Sequence, residues 1–388
     1  MRKYSAYCFW FLILFSFFPL LCSGQGWKRA LETGTVPMFP TVAIPTQDGG
    51  YAIGGGWKRP LLSPSGLMLI KADSSGQLTW RRQYEIPGYR LIFTNFLEKA
   101  DGGFLILGVD GGFSGLAVLE ADADGNLLGW EVQNLGSFLL PLVATTTINE
   151  TFLYLDFPAD YSAARILELG SSGLVSETPL LLDSLSYRRL NSALQLPDGY
   201  LITGANDVSI GPLGQPLASL YVAKVTPGGQ LLWEQTFGLE ENTEGLEAIA
   251  ASDGNFLISA TSSFPNSMRL AKVGPDGQLL WSNTYLGNFY LNSGTANSRL
   301  TELSTGDYAI IGGRYDPLRR RPIAVLHIIG PDGQLKRTHQ FSHGLTLPGP
   351  PLAWGNLYGS SVYPSGNGVL LSASSAALFD ASQNGDTT

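Results

Sequence analysis

The chain has 388 residues, with 24 basic and 32 acidic side chains and a net charge of −8. An acidic balance with no Lys/Arg tract argues against general nucleic-acid binding. Only 14% of residues are charged while glycines number 47, the composition of an all-β chain with many tight turns.

Met1-Arg2-Lys3 and the apolar run from Cys8 to Leu21 read as a signal peptide. The run is too short to span a bilayer, and Pro19 breaks a helix near its end. Cys22-Ser23-Gly24 supplies small residues, so the expected mature start is Gln25, with a lipoprotein processed at Cys22 as the alternative. Cys8 and Cys22 leave with the signal, and removal of Arg2 and Lys3 leaves 22 basic against 32 acidic residues. The expected product is a secreted, periplasmic or extracellular chain without thiol, disulfide or membrane span, acting as a monomer and requiring no cofactor.

Residues 25–388 are organised by repetition. A turn followed by an apolar strand recurs from Gln47, Ala100, Ile148, Pro197, Ser252, Ser304 and Pro364. Each is followed by a second hairpin, most clearly in LYVAKVTPGGQLLW and MRLAKVGPDGQLLW, where glycine supplies the positive φ of the turn. Seven such units of about 52 residues predict one domain, a seven-bladed β-propeller of four-stranded blades. The last unit breaks off after Asn384-Gly385, and GQGWKRAL around Trp27 reads like its missing outer strand. The ring is therefore expected to close by pairing the two chain ends, which removes open sheet edges.

Strands are named A (inner) to D (outer). In the first unit A is expected near Thr41–Ile44, B at Tyr51–Gly55, C at Leu67–Ala72 and D from Thr79. The A–B and C–D turns are uniform, whereas the B–C and D–A connections vary. In a meander these two sets lie on opposite faces, so a binding site is expected on the variable B–C face.

The C-to-D motif, Lys71, Asp73, Gly76 and Trp80, resembles the tryptophan-docking repeat of quinoprotein-type propellers and the repeats of secreted bacterial propellers. The resemblance spans residues 25–388 at motif level and implies the fold. The Asp/Glu, Asn and vicinal Cys features that hold a quinone and its calcium in quinoprotein dehydrogenases are not found. Trp27, Trp80, Trp130, Trp233 and Trp281 are expected as structural wedges between blades. Glu177 and Arg337 stand in their place in the third and sixth units.

Two apparent metal motifs have ordinary readings. Asp122, Asp124 and Gly125 imitate a calcium loop, but Glu120 aligns with Lys71, Lys224 and Lys272, so the segment reads as a hairpin turn. His339 and His343 would lie about 13 Å apart on an extended chain, too far to share zinc. No metal site is expected, and His327 reads as a sheet residue.

Against the acidic background, Lys58 and Arg59 fall in the first B–C loop, and Arg314, Arg319, Arg320 and Arg321 in the sixth. Trp57 and Tyr315 lie beside them. These loops flank the short seventh loop at Ser374-Ser375, and Arg forks with aromatics suit anionic or sugar-like ligands. The favoured expectation is a non-catalytic binding propeller for a glycan or a protein. The alternative is an extracellular lyase, hydrolase or quinoprotein-like enzyme using loop acids such as Asp110, Asp207 or Asp316.

Overall fold

The computed structural model describes residues 28–382, apart from 31–37, 59–64, 113–114, 136–143, 148, 157–163, 183–187, 211–215, 239–242, 264–265, 288–299, 317–320, 342–358, 366–367 and 374–376. Residues 1–27, which include the expected signal peptide and Trp27, thus lie outside the described residues. Among those described, no helix is long and apolar enough to cross a membrane.

The strands form seven four-stranded antiparallel sheets. Blade 1 comprises Met38–Pro45, Tyr51–Lys58, Ser65–Ala72 and Leu78–Tyr84 as strands A to D. Blade 2 comprises Leu91–Glu98, Phe104–Asp110, Gly115–Ala121 and Leu127–Asn134. Blade 3 comprises Thr145–Thr146, Phe152–Asp156, Ala164–Gly170 and Gly173–Leu180. Blade 4 comprises Arg188–Leu196, Gly199–Ile210, Pro216–Val225 and Leu231–Phe237. Blade 5 comprises Thr243–Ala250, Phe256–Ser263, Asn266–Val273 and Leu279–Leu286. Blade 6 comprises Leu300–Glu302, Tyr308–Asp316, Arg321–Ile329 and Leu335–Phe341.

The expectation of seven blades is corrected by this strand order: six blades are self-contained, each built from four consecutive strands. The remaining sheet is a composite of different make. Gly359–Ser365, Gly368–Ala373 and Ala377–Ser382 are consecutive, but the fourth strand is Lys28–Ala30 from the other end of the chain. Its pairs are Lys28↔Phe379, Arg29↔Leu378 and Ala30↔Ala377, so this outer strand is three residues long where the D strands of the blades have seven or eight. The composite sheet touches blade 6 on one side and blade 1 on the other.

Most of the described A–B and C–D turns repeat one geometry. In the turn after Ile44-Pro45, Gly49 N–H donates to Thr46 O and Thr46 N–H to Gly50 O, at 2.8 and 2.9 Å. The same pair of bonds recurs at Lys99–Gly103, Asp73–Gln77, Asp122–Asn126, Gly274–Gln278 and Gly330–Gln334. The fourth residue is in the left-handed region, with φ between 76° and 86° at Gly76, Gly277 and Gly333, where only glycine sits without strain. In blade 3 that position in the A–B turn is Glu150, at φ 58°. Its carboxylate takes the Ala100 N–H of blade 2 at 2.6 Å, a contact glycine could not make.

The core is a series of layers between neighbouring blades. Val42, Leu67 and Leu69 of blade 1 pack on Phe93, Phe96, Phe104 and Leu119 of blade 2. Leu270 of blade 5 packs with Tyr308 and Ile310 of blade 6. Inner strands are therefore covered on both faces, which is why Leu67, Met68, Leu69 and Ile70 are buried in succession instead of alternating with polar residues. Strands D are the outer edges, and in blade 1 most of Leu78–Tyr84 is at least partly exposed.

Candidate functional site

One face carries a belt of ion pairs that ties strand C to the A–B turn. Lys71 donates to Asp48 at 2.6 Å and to Thr46; Lys224 donates to Asp198 at 2.7 Å; Lys272 donates to Asp253 and, at 2.9 Å, to the Tyr308 hydroxyl of blade 6. Blade 2 reverses the polarity, since Glu120 occupies the strand C position and Lys99 in the turn donates to it at 2.7 Å and to Asp101 at 2.9 Å. Partial burial works against the charge on Asp48, but hydrogen bonds from Lys71, Thr46 and the Gly50 amide hold its pKa down at about 2. Hydrogen bonds from Lys99 and Lys224 likewise lower Asp101 and Asp198. Neighbouring turns are linked too: Glu98 accepts Gln47 N–H at 2.8 Å, and Glu302 accepts Ser252 N–H at 2.7 Å. These groups pair with each other across the turns and strands of this face.

Three of the repeat tryptophans dock on the next blade. Trp233 Nε1–H donates to Pro275 O at 2.9 Å, and Trp281 Nε1–H to Pro331 O at 3.1 Å. Trp80 meets Phe104 edge-on, with ring centroids 5.7 Å apart. Each indole covers the next C–D turn glycine so closely that a Cβ on Gly125, Gly277 or Gly333 would stand 2.8–2.9 Å from the ring. Trp130 does something else. In blades 1, 4 and 5 the tryptophan pairs with strand C lysines (Lys71↔Trp80, Lys224↔Trp233, Lys272↔Trp281), but in blade 2 Glu120 pairs with Gly129 and Leu119 with Trp130. One extra residue after Gly125 moves the ring to the opposite face of the sheet, because strand side chains alternate. Trp130 is 45% exposed and meets Tyr89 at 6.4 Å.

The positions of Glu177 and Arg337 also differ. Arg337 pairs with Ile328 in the expected register. The turn of blade 3 is one residue tighter, so Ser176 pairs with Glu168 and Glu177 turns to Arg165, at 3.0 Å. Arg165 also donates to the fully buried Asp156 at 2.6 Å.

On the opposite face the B–C hairpins of blades 1 and 6 stand on either side of the composite sheet. Lys58↔Ser65 is the last pair in blade 1, and Asp316↔Arg321 in blade 6, where Arg314↔Ile323 and Tyr315↔Pro322 precede it. Strand B has eight residues in blade 1, nine in blade 6 and six in the composite sheet. At about 3.3 Å per residue the described strand B of the composite sheet is about 7–10 Å shorter than those of its neighbours. Arg59, Arg319 and Arg320 lie outside the described residues. Trp57 is drawn inward: it is 1% exposed, clustered with Ala43, Ile53, Met68 and Ile70, and lies over Gly66, whose Cβ would meet its ring nitrogen at 2.7 Å. It shapes the hairpin and offers no ring to a ligand.

The candidate catalytic acids belong to three different blades. Asp110, Asp207 and Asp316 belong to strands B of blades 2, 4 and 6. Asp110 accepts Gly112 N–H at 3.3 Å, as a turn residue does. Among the described residues no group of three His, Cys, Asp or Glu is placed to hold a metal. Asp122 spends its Oδ1 on the amides of Asp124 and Asn126, at 3.0 and 2.7 Å, which is ordinary turn chemistry. His339 lies on strand D of blade 6, and His343 is outside the described residues.

No protein family and no curated protein sequence matches the chain. Solved structures do. A catalytically inactive virginiamycin B lyase from Staphylococcus aureus, with quinupristin, aligns over 92% of this chain and 99% of its own, at 10% identity and a TM-score of 0.53. The Drosophila semaphorin 1b extracellular domains 1–2 align over 93% and 88%, at 9% identity and a TM-score of 0.48. The fold is a β-propeller. At such identities the likeness speaks of architecture alone, and the propeller's activity has to be argued from its own residues.

Proposed function

We propose that this propeller is a secreted binding protein whose B–C face takes an anionic glycan between the hairpins of blades 1 and 6. The observation that supports the reading is strand length: strands B of blades 1 and 6, which lead to the basic residues, are two or three residues longer than the described strand B of the composite sheet between them. Lys58, Arg59, Arg314, Arg319, Arg320 and Arg321 supply the cations, and Tyr315 an aromatic edge. Guanidinium forks bind carboxylate and sulfate groups in pairs of hydrogen bonds. In an acidic chain such a local excess of positive charge steers an anion to one place.

Alginate and dextran sulfate serve as probes. Binding is expected to weaken steeply between 50 and 500 mM salt, since exposed charges are screened beyond about 8–10 Å at physiological ionic strength. The triple reversal Arg319→Glu, Arg320→Glu, Arg321→Glu is expected to abolish binding with little change in melting temperature, because exposed loop charges contribute about 0–1 kcal/mol each. Arg81→Glu is the matched control. Arg82 is unsuitable because its guanidinium stacks on Trp80, 5.8 Å from the ring centroid. Equal binding by the triple variant and wild type would refute the site.

A further inference from the structure

The seam between blades 5 and 6 departs from the repeat at one buried position. Six residues before the C–D turn glycine, strand C carries Ile70, Leu119, Leu167, Ala223 and Ala271 in blades 1 to 5, and all are buried. Blade 6 has His327 there, 1% exposed. Its Nε2 lies 2.8 Å from Leu286 O on strand D of blade 5, and its Nδ1 lies 2.8 Å from the Thr338 hydroxyl across its own hairpin. A carbonyl only accepts, so Nε2 carries the proton and Nδ1 accepts from Thr338. Burial holds the ring's pKa down, in keeping with that neutral form. A buried polar side chain in a position that is otherwise apolar has an energetic cost, and here it comes with an opening in the packing.

That opening is a cavity of about 460 Å³, within the range of small-ligand sites. Asn283 and Tyr285 form one wall, with both side chains donating to Gly333 O, at 2.9 and 2.8 Å. His327, Val325, Gln334, Thr338 and Gln340 of blade 6 also line the cavity. Leu286 and Leu335 stand at the edges, 74% and 48% exposed. The lining contains no Asp, Glu, Lys or Arg.

We propose that this seam binds a neutral saccharide. Amides and hydroxyls both donate and accept, which matches the dual character of sugar hydroxyls. The exposed leucines can cover the C–H face of a pyranose. An anion would find no cation in the lining, and an alkyl ligand would strip water from Gln334, Thr338 and Gln340 without replacing those hydrogen bonds. This site lies on the seam between strand D of blade 5 and strands C and D of blade 6, and its lining is uncharged.

The test titrates maltose, cellobiose and chitobiose into the full chain, following binding by ligand-observed NMR and calorimetry. At least one is expected to bind, with affinity unchanged between 50 and 500 mM salt. The double substitution Gln334→Ala, Gln340→Ala, on exposed positions, is expected to weaken it tenfold or more with an unaltered melting temperature. The triple arginine reversal described above is expected to leave it untouched, so this site and the anionic site fail independently. Absence of binding by all three sugars, or binding that survives the double substitution, would overturn the proposal.

Discussion

Trp281→Ala is expected to lower the stability of the propeller by about 3 kcal/mol, whereas Trp130→Ala should change it by about 0.5 kcal/mol. The two tryptophans occupy similar places in the sequence repeat and opposite faces of their sheets. Trp281 packs against the core between blades 5 and 6, meets Tyr308 at 6.4 Å, donates to Pro331 O and covers Gly333. Its removal opens a cavity at a seam and removes the contact with Tyr308, while the exposed Pro331 carbonyl can turn to water. Trp130 has 45% of its surface in water already. Denaturant unfolding of both variants and wild type checks the contrast through the midpoint at constant slope. Gly333→Ala is expected to be costly for a related reason. Its φ of 80° is unfavourable for a side chain, and the new methyl would stand 2.6 Å from Asn283 and 2.9 Å from Trp281. Similar midpoints for Trp281→Ala and Trp130→Ala would mean that docking on the next blade contributes nothing.

The contrast also shows what a sequence repeat can and cannot convey. Turn chemistry is local, so glycines at positive φ and the strands they connect are legible at sight. Burial on both faces of strand C is legible too, from runs such as LMLI. Register is less so, because a single extra residue between Gly125 and Trp130 reverses a side chain while leaving the motif recognisable. The tighter turn of blade 3 exchanges Ser176 and Glu177 in the same way. Trp57 adjoins Lys58 and Arg59 in the sequence, yet its ring fills the space over Gly66, a relation across the hairpin that spacing alone does not reveal. The Asp–Lys belt is half visible in the sequence, where Lys71, Lys224 and Lys272 align and Glu120 is the odd member. That each reaches a turn residue some twenty positions away, with Lys99 supplying the missing cation in blade 2, required the folded strands. His327 has the alternation of an ordinary sheet residue in the sequence, and only its burial among five apolar equivalents in the other blades marks it as exceptional.

The belt leads to the second large effect, a steep loss of stability in acid. Asp48, Asp101, Asp198 and Asp253 all have pKa values below the ordinary 3.8, and Asp48 is held at about 2. For Asp253, partial burial opposes ionisation, and the hydrogen bonds from Lys272 and Asn255 together outweigh it. A carboxylate depressed in the folded state binds protons less readily there than in the unfolded chain. Its stabilisation is therefore present above the unfolded value and lost as pH falls through the folded one. Glu98 acts in the opposite sense, since burial raises its pKa above 4.5 and ionisation there works against folding. His327, lowered by burial from 6.5, adds a loss of stability as pH falls below that value. The melting temperature is thus expected to decline gently below pH 6.5 and steeply from about pH 4 to pH 2, where four depressed aspartates outnumber Glu98. Lys272→Met separates the belt from general charge repulsion. The apolar stem of the lysine is retained while Asp253 and Tyr308 lose their shared donor, so the variant should melt lower at pH 7 and lose less than wild type between pH 4 and pH 2. Parallel acid profiles for the two proteins would show that the Asp–Lys pairs do not set the acid limit.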